Sequence, residues 1–268
     1  MGDGDIMKKY LIIIQKSLKS ESAYHSAAIT GMTSSLLTYL IQIFLWHALL
    51  GAGTQNHTNF SEMLIYVLVN TVMIELTKGN VANMIEASMI DGSISVELLR
   101  PISYKLFTLA NLFGKNVYNA VIRALPIITI SFFLIQFNSL PDLTHLALFI
   151  MSASLGIMLM FEITYFVGLF AFWIQRCWFL SWYLSGFLIF FGGTKIPIWF
   201  YPKSLAQLSY LLPFRYITFE PINFFLCKTT VEDAFWPLFI AIFWLALLCI
   251  FDRFVWRFAL KKLCINGG

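Results

Sequence analysis

Five stretches of this sequence stay apolar over the length, about 20 residues, that a helix needs to cross a bilayer. They are Ala23–Leu50, Met63–Val81, Val117–Phe137, Leu143–Ile174 and Ala234–Phe251. A sixth, Cys177–Thr194, ends in Gly192 and Gly193 and crosses only if it stands nearly perpendicular to the membrane. Hydrophobic residues make up 59% of the 268 and charged residues 12%, too little polar surface to cover a water-soluble fold of this size. The expected fold is all-α, a polytopic membrane protein of six transmembrane helices forming one domain over residues 1–268.

Lysine and arginine placement gives the expected orientation. Lys8, Lys9, Lys16 and Lys19 precede the first stretch, Lys78, Arg100 and Lys105 surround the second connection, and Arg253, Arg257, Lys261 and Lys262 follow the last. The connections Gly51–Glu62 and Asn138–Asp142 carry none. Both termini are expected in the cytoplasm, in a bacterial plasma or inner membrane. Residues 7–19 place Met7, Leu11, Ile14 and Leu18 on one helical face and lysines on the other, as an interfacial helix does. A polar leader is the other reading of that segment. Met7 reads as the natural start, with residues 1–6 an addition. The net charge of +4 is too small and too scattered for a nucleic-acid partner.

The connector Ile85–Lys105 contains Glu86, Asp91, Glu97 and Arg100, with Gly92 suited to a tight turn and Pro101 ending any helix before it. A short helix over Ile94–Leu99 would show Leu98 and Leu99 beside Glu97. Two readings are open: a plug for a partner's groove, or a solvated connector. Residues 195–233 are too long and apolar for a plain loop, yet Pro197, Pro202, Pro213 and Pro221 interrupt them and Lys195, Lys203, Arg215 and Glu220 lie among the aromatics. They are expected to form short extracellular re-entrant helices. Irregular backbone at membrane depth needs protein or a watery cavity to cover it, so Gly192, Gly193, Pro197, Trp199, Pro213, Arg215 and Glu220 are candidate gate residues.

Ionisable groups inside spans tend to face protein or water, because an unpaired charge at the bilayer centre costs several kcal/mol. Arg123 and Glu162 qualify, either as a pair holding two helices or as a pathway lining. Glu75 and Lys78, three apart, read as a helix-surface pair. Cys177, Cys227, Cys249 and Cys264 show no CxxC spacing and no nearby histidines in sequence, so no metal site is expected. His25, His47, His57 and His145 are scattered, which disfavours a membrane-embedded enzyme. No phosphate-binding loop of the form GxxxxGK[ST] occurs, so no cofactor is expected in this chain, and any ATP would be handled elsewhere.

Glu86, Gly92, Leu98, Leu99 and Pro101, followed by Asn111, Gly114 and Lys115, resemble the first cytoplasmic loop of ABC-2 type permeases. The opening MKKYLIIIQKSLKSESAYHSA from Met7 and the pattern Gly192, Gly193, Pro197 and Pro213 are similar to the short six-span branch of that family. The likeness covers nearly the whole chain. It implies a non-enzymatic permease subunit of an ATP-driven exporter, with ATP and magnesium bound by a separate cytoplasmic ABC ATPase. It also implies that Ile94–Leu99 is a coupling helix, with Glu86, Asp91, Gly92, Glu97, Leu98, Leu99, Arg100 and Pro101 as the coupling residues. A second copy or a paralogous permease would complete a homodimer or heterodimer in membrane lipid. The cargo is expected to be amphipathic or hydrophobic, such as a drug, an antibiotic or a lipid-like molecule. Export of a lipid-linked polysaccharide is the alternative, and a non-transporting membrane subunit stands outside the transporter class.

Overall fold

A computed structural model describes residues 3–51, 59–79, 81–134, 141–174 and 176–262. The end of the expected third stretch at Phe137, most of the two lysine-free connections and Cys264 lie outside the described residues. Among the described residues the regular structure is helical throughout: α1 (Asp3–Ser22), α2 (His25–Gly51), α3 (Phe60–Thr77), α4 (Val81–Ile90), α5 (Ile94–Leu98), α6 (Tyr104–Leu134), α7 (Leu143–Leu169), α8 (Ala171–Ile174), α9 (Trp178–Phe191), a 3₁₀ turn Ile198–Phe200, α10 (Lys203–Leu211), α11 (Arg215–Phe225) and α12 (Phe235–Lys261).

Among the described residues, five candidate spans are long and apolar enough to cross a membrane: His25–Leu50, Phe60–Ile90, Tyr104–Phe133, Leu143–Ile174 and Phe235–Lys261. The sixth expected crossing, α9, has only 14 helical residues, about 21 Å of rise against a hydrocarbon core of about 30 Å. The third span departs most from the sequence expectation. It begins at Tyr104 rather than Val117 because the polar residues of its first turns meet α1: Ser17 donates to Asn111 Oδ1 at 2.7 Å, and the Ser103 amide donates to the Tyr10 hydroxyl at 3.3 Å. Gly114 permits that crossing, since a Cβ there would come within 2.6 Å of the Ile14 carbonyl oxygen.

The centre of the molecule is α7, which packs against α3, α4, α11 and α12. Gly156 lets α11 lie directly on it, since a Cβ there would meet the Ile217 carbonyl oxygen at 2.5 Å. One buried cluster gathers Tyr39, Trp46, Met63, Tyr66, Met73 and Ile127 with Phe219 and Ile222. Another joins Val81, Ile85, Ile94, Tyr104, Tyr165 and Ala259. Since α4, α5, the start of α6 and the end of α12 meet in that second cluster, they share one end of the bundle, termed the connector end. The starts of α3, α7 and α12 are at the far end.

Pro197 and Pro202 stand at the first flanking positions of the 3₁₀ turn and of α10, where a missing N–H costs nothing. From there α10 runs inward until the Leu211 carbonyl accepts from Trp244 Nε1 at 3.2 Å. Residues Leu212–Phe214 turn the chain, and α11 returns outward until Phe225 packs edge-on against Phe149. Its start lies beside Gly156, about 20 Å along α7. The two helices therefore form a hairpin inserted from the far end.

Candidate functional site

Helix α2 repeats a polar residue every fourth position: Ser26, Thr30, Ser34, Thr38 and Gln42. Four-residue spacing keeps such residues on one slowly turning face, and Ser26, Thr30, Ser34 and Thr38 are exposed. They line a groove of about 660 Å³ together with Gly31, Thr71, Glu75, Lys78, Arg123 and Lys195. Thr30 and Thr38 donate to their own helix at Ser26 and Ser34, which leaves their oxygen lone pairs facing the groove. A second groove of about 430 Å³ lies between α3, α7 and α9 and shares Ile74, Lys78 and Lys195 with the first. The hydroxyl stripe is a site residue set that the sequence analysis did not single out. Its signal, a four-residue polar repeat inside an apolar span, is readable in the sequence.

Arg123 Nη1 reaches both oxygens of Glu75 at 2.8 and 2.9 Å. The Glu75 carboxylate also stands 3.5 Å from the more exposed Lys78 ammonium. Arg123 Nε is buried without a hydrogen-bond partner and packs on Gly31, where a Cβ would come within 2.6 Å of it. Lys105 lies 18 residues earlier on α6, about 27 Å away along the axis, and it holds two further buried carboxylates. Its ammonium is 2.7 Å from Glu162 on α7 and 2.5 Å from Asp252 on α12.

Arg123 and Glu162, read either as a pair or as a pathway lining, do not pair with each other. Glu162 lies 19 residues into α7, level with the first turn of α6, where Lys105 stands. The last apolar stretch ends at Phe251 by sequence, but α12 continues to Lys261, and Asp252 within it is buried at 2% exposure.

Around α5 the Gly92 φ of 75° turns the chain out of α4. Asp91 Oδ1 accepts from the Ser93 amide at 2.9 Å, and hydrogen bonds from Ser93 hold the Asp91 carboxyl below its ordinary range. Ile94 anchors the helix in the core, Val96 and Leu99 are 62% and 84% exposed, and Leu98 packs inward against the same cluster. The exposed apolar pair is thus Val96 and Leu99, not the adjacent Leu98 and Leu99. Partial burial raises the Glu97 carboxyl above its usual value. Arg100 lies over the Phe107 ring at 4.7 Å, and Pro101 is exposed. Glu86 departs from its expected role. It is buried and accepts from the Cys177 amide at 2.7 Å, which ties α4 to the start of α9 and leaves no side chain to offer a partner.

In the segment after α9 the expected gate residues are brought together as a scaffold. The Tyr66 hydroxyl donates to the Gly193 carbonyl at 2.6 Å, Asn70 to that of Thr194 at 2.7 Å, and Thr218 to that of Gly192 at 2.6 Å. The Gly193 φ of 70° belongs to the left-handed region, which favours glycine. Arg215 Nε donates to Glu220 at 2.5 Å, while the guanidinium lies against Tyr210 and Phe219. Trp199 packs edge-on against Tyr66, with the Lys228 ammonium 4.1 Å from its ring centroid. Pro213 sits in the hairpin turn just ahead of α11.

A profile of the ABC-2 family transporter proteins matches residues 36–267. No curated protein matches the chain at a significant level.

Proposed function

The chain belongs to the ABC-2 family of transporter proteins, multi-pass membrane proteins that generally work with ABC ATPase partners, and on that premise we propose that it is the permease subunit of an ATP-driven exporter. The connector end faces the cytoplasm, both termini lie there, and α9 with the following segment makes the sixth crossing. The α10–α11 hairpin is then re-entrant from outside.

The observation that carries this reading is the form of α5. Ile94 fixes one side in the core while Val96 and Leu99 project from the other, so the helix is an apolar ridge anchored in the cluster that α4, α6, α7 and α12 share. Such a ridge transmits a push from an ATPase into the bundle, as packed elements do when they shift as bodies. The groove along α2 supplies the second half of the proposal. The groove also holds Glu75, Lys78, Arg123 and Lys195, and ionisable groups at membrane depth face protein or water, so a second permease, identical or paralogous, faces this groove and the two halves enclose the path. A cargo with a polar end and an apolar body suits hydroxyl and cationic groups beside apolar walls. Drug, antibiotic or lipid-like molecules meet that description.

The Leu99→Cys variant, with the native cysteines replaced by alanine because Cys227 is itself exposed, tests the orientation when it is labelled with a membrane-impermeant maleimide. Labelling only after the cells are opened is expected, and labelling from outside overturns the proposal. A photo-crosslinker at the same position in native membranes is expected to capture a nucleotide-binding ATPase, and adducts made of lipid alone would remove the coupling role.

A further inference from the structure

At the far end, Asp142 and His145 come together with Cys227, 85 and 82 residues further along the chain, with one ligand atom each, all within 4.8 Å of one another. We propose that these three side chains bind a zinc ion, stapling the start of α7 to the end of α11.

The backbone holds each donor. Asp142 caps α7, accepting the His145 amide at 3.3 Å, and His145 follows three residues later on the same face. Cys227 ends α11: its amide donates to the Phe224 carbonyl at 3.1 Å and that of Lys228 to the Asn223 carbonyl at 3.0 Å. That is the double closure in which the residue at Cys227's place is usually glycine. The Cys227 φ of 54° carries a side chain where few residues go. Lys228 pins the next position through an ion pair with Glu62 at 2.7 Å and its contact with Trp199.

The histidine is placed as a ligand would be. Its Nε2 lies 3.3 Å from the Thr229 carbonyl, within reach of an N–H there, while Nδ1 is turned to Asp142 Oδ1 in the group that the Cys227 sulfur completes. A hydrogen bond between His145 and Asp142 has no use for that sulfur, whereas a metal does. A ring nitrogen bound to metal while its other N–H is held by a carbonyl is also the usual outer arrangement of a histidine ligand.

Imidazole, thiolate and carboxylate together favour zinc over the harder magnesium or calcium. Zinc bonds of about 2.0–2.3 Å set tetrahedral ligands about 3.3–3.6 Å apart, so small rotamer adjustments close the site. The thiol proton passes to solvent as the thiolate binds. Asp142 and Cys227 are exposed, which leaves a fourth position for water.

The test uses the full-length protein purified without a polyhistidine tag and equilibrated with zinc. Wild type is expected to retain one zinc per chain, and Cys227→Ser and His145→Ala to lose it. Zinc is also expected to protect Cys227 from maleimide, with a chelator restoring the reaction. Cobalt bound to wild type should show thiolate charge-transfer absorption, a readout that stands if a variant fails to fold. No zinc in wild type, equal zinc in the variants, or cobalt spectra without a sulfur ligand would overturn the proposal. In that case the His145 ring is only a hydrogen-bond partner of Asp142. These readouts are independent of transport, so the permease reading is judged separately.

Discussion

Arg123 of α6 grips both oxygens of Glu75 on α3, at 2.8 and 2.9 Å, along the wall of an open groove. The pair joins two spans, and it places a net neutral unit where Lys78 and Lys195 would otherwise stand beside a lone arginine. Its energetic meaning lies in what removal of one partner leaves behind. An uncompensated charge in a poorly solvated place typically costs about 3–5 kcal/mol, whereas replacing both partners with apolar groups can be neutral.

Glu75→Ala is accordingly expected to lower the thermal stability of the detergent-solubilised protein by about 3–5 kcal/mol. The double variant Glu75→Leu with Arg123→Met should recover most of it. Melting curves of wild type, each single variant and the double decide the matter, and an additive double variant would show that the two side chains do not act as a pair.

Lys105 faces two carboxylates, Glu162 and Asp252, from separate helices, so its removal strands two charges at once. Lys105→Met should destabilise more than either Glu162→Gln or Asp252→Asn alone. Adding both carboxylate changes to Lys105→Met should restore much of the loss. Recovery is read from the yield of monodisperse protein and from its melting temperature.

The five long spans were legible from apolar length alone, because lipid demands it of any helix that crosses. The start of α6 was not. Residues 104–116 place polar groups such as Asn111 against α1, and a hydropathy reading takes those groups for a loop when their partner, Ser17, is 94 residues away. The same limit hid which charges pair. Arg123 and Glu162 were visible as buried charges, but their partners depend on helix phase and depth, set by contacts between segments remote in sequence. Asp142, His145 and Cys227 form a group only because α11 folds back on α7 over Gly156. By contrast, the repeat Ser26, Thr30, Ser34, Thr38 and Gln42 needed only counting by fours.

The exposed ridge of α5 separates two roles that neighbouring leucines would otherwise share. Val96→Ala with Leu99→Ala should leave the permease folded, since both side chains project outward, while reducing the ATPase recovered with it from native membranes. Leu98→Ala should do the reverse and loosen the core at the connector end, by about 2–4 kcal/mol for a well-buried leucine and less here, where burial is partial. Equal ATPase recovery from the double variant would count against the ridge.

Glu97 gives α5 a pH dependence whose sign follows from its raised value. A carboxyl that holds its proton more tightly in the folded state favours that state below the ordinary glutamate range. It loses the advantage as pH rises through the interval between the ordinary and the raised value. Local stability at the connector end should therefore fall across that interval, and Glu97→Gln should flatten the profile. Hydrogen exchange of the α5 amides against pH measures it, and an unchanged slope in the variant would assign the dependence to another group.

Transport itself tests the hydroxyl stripe on α2. Threonine and valine have nearly the same shape, so Thr30→Val with Thr38→Val removes two oxygens from the groove without changing its width. The hydroxyl protons are already satisfied within the helix at Ser26 and Ser34, and a lipid-facing stripe would lose nothing by the exchange. A water-lined path that holds the polar end of a cargo would lose acceptors that it uses during passage. ATP-driven uptake of cargo into inside-out vesicles should then fall several-fold, at unchanged protein yield and melting temperature, since each lost hydrogen bond is worth about 0.5–1.5 kcal/mol. Ser34→Phe, which fills the groove instead, should block export more completely than the valine pair. If all of these variants transport as wild type does, the stripe faces no cargo, and its hydroxyls serve only the packing of one permease against another.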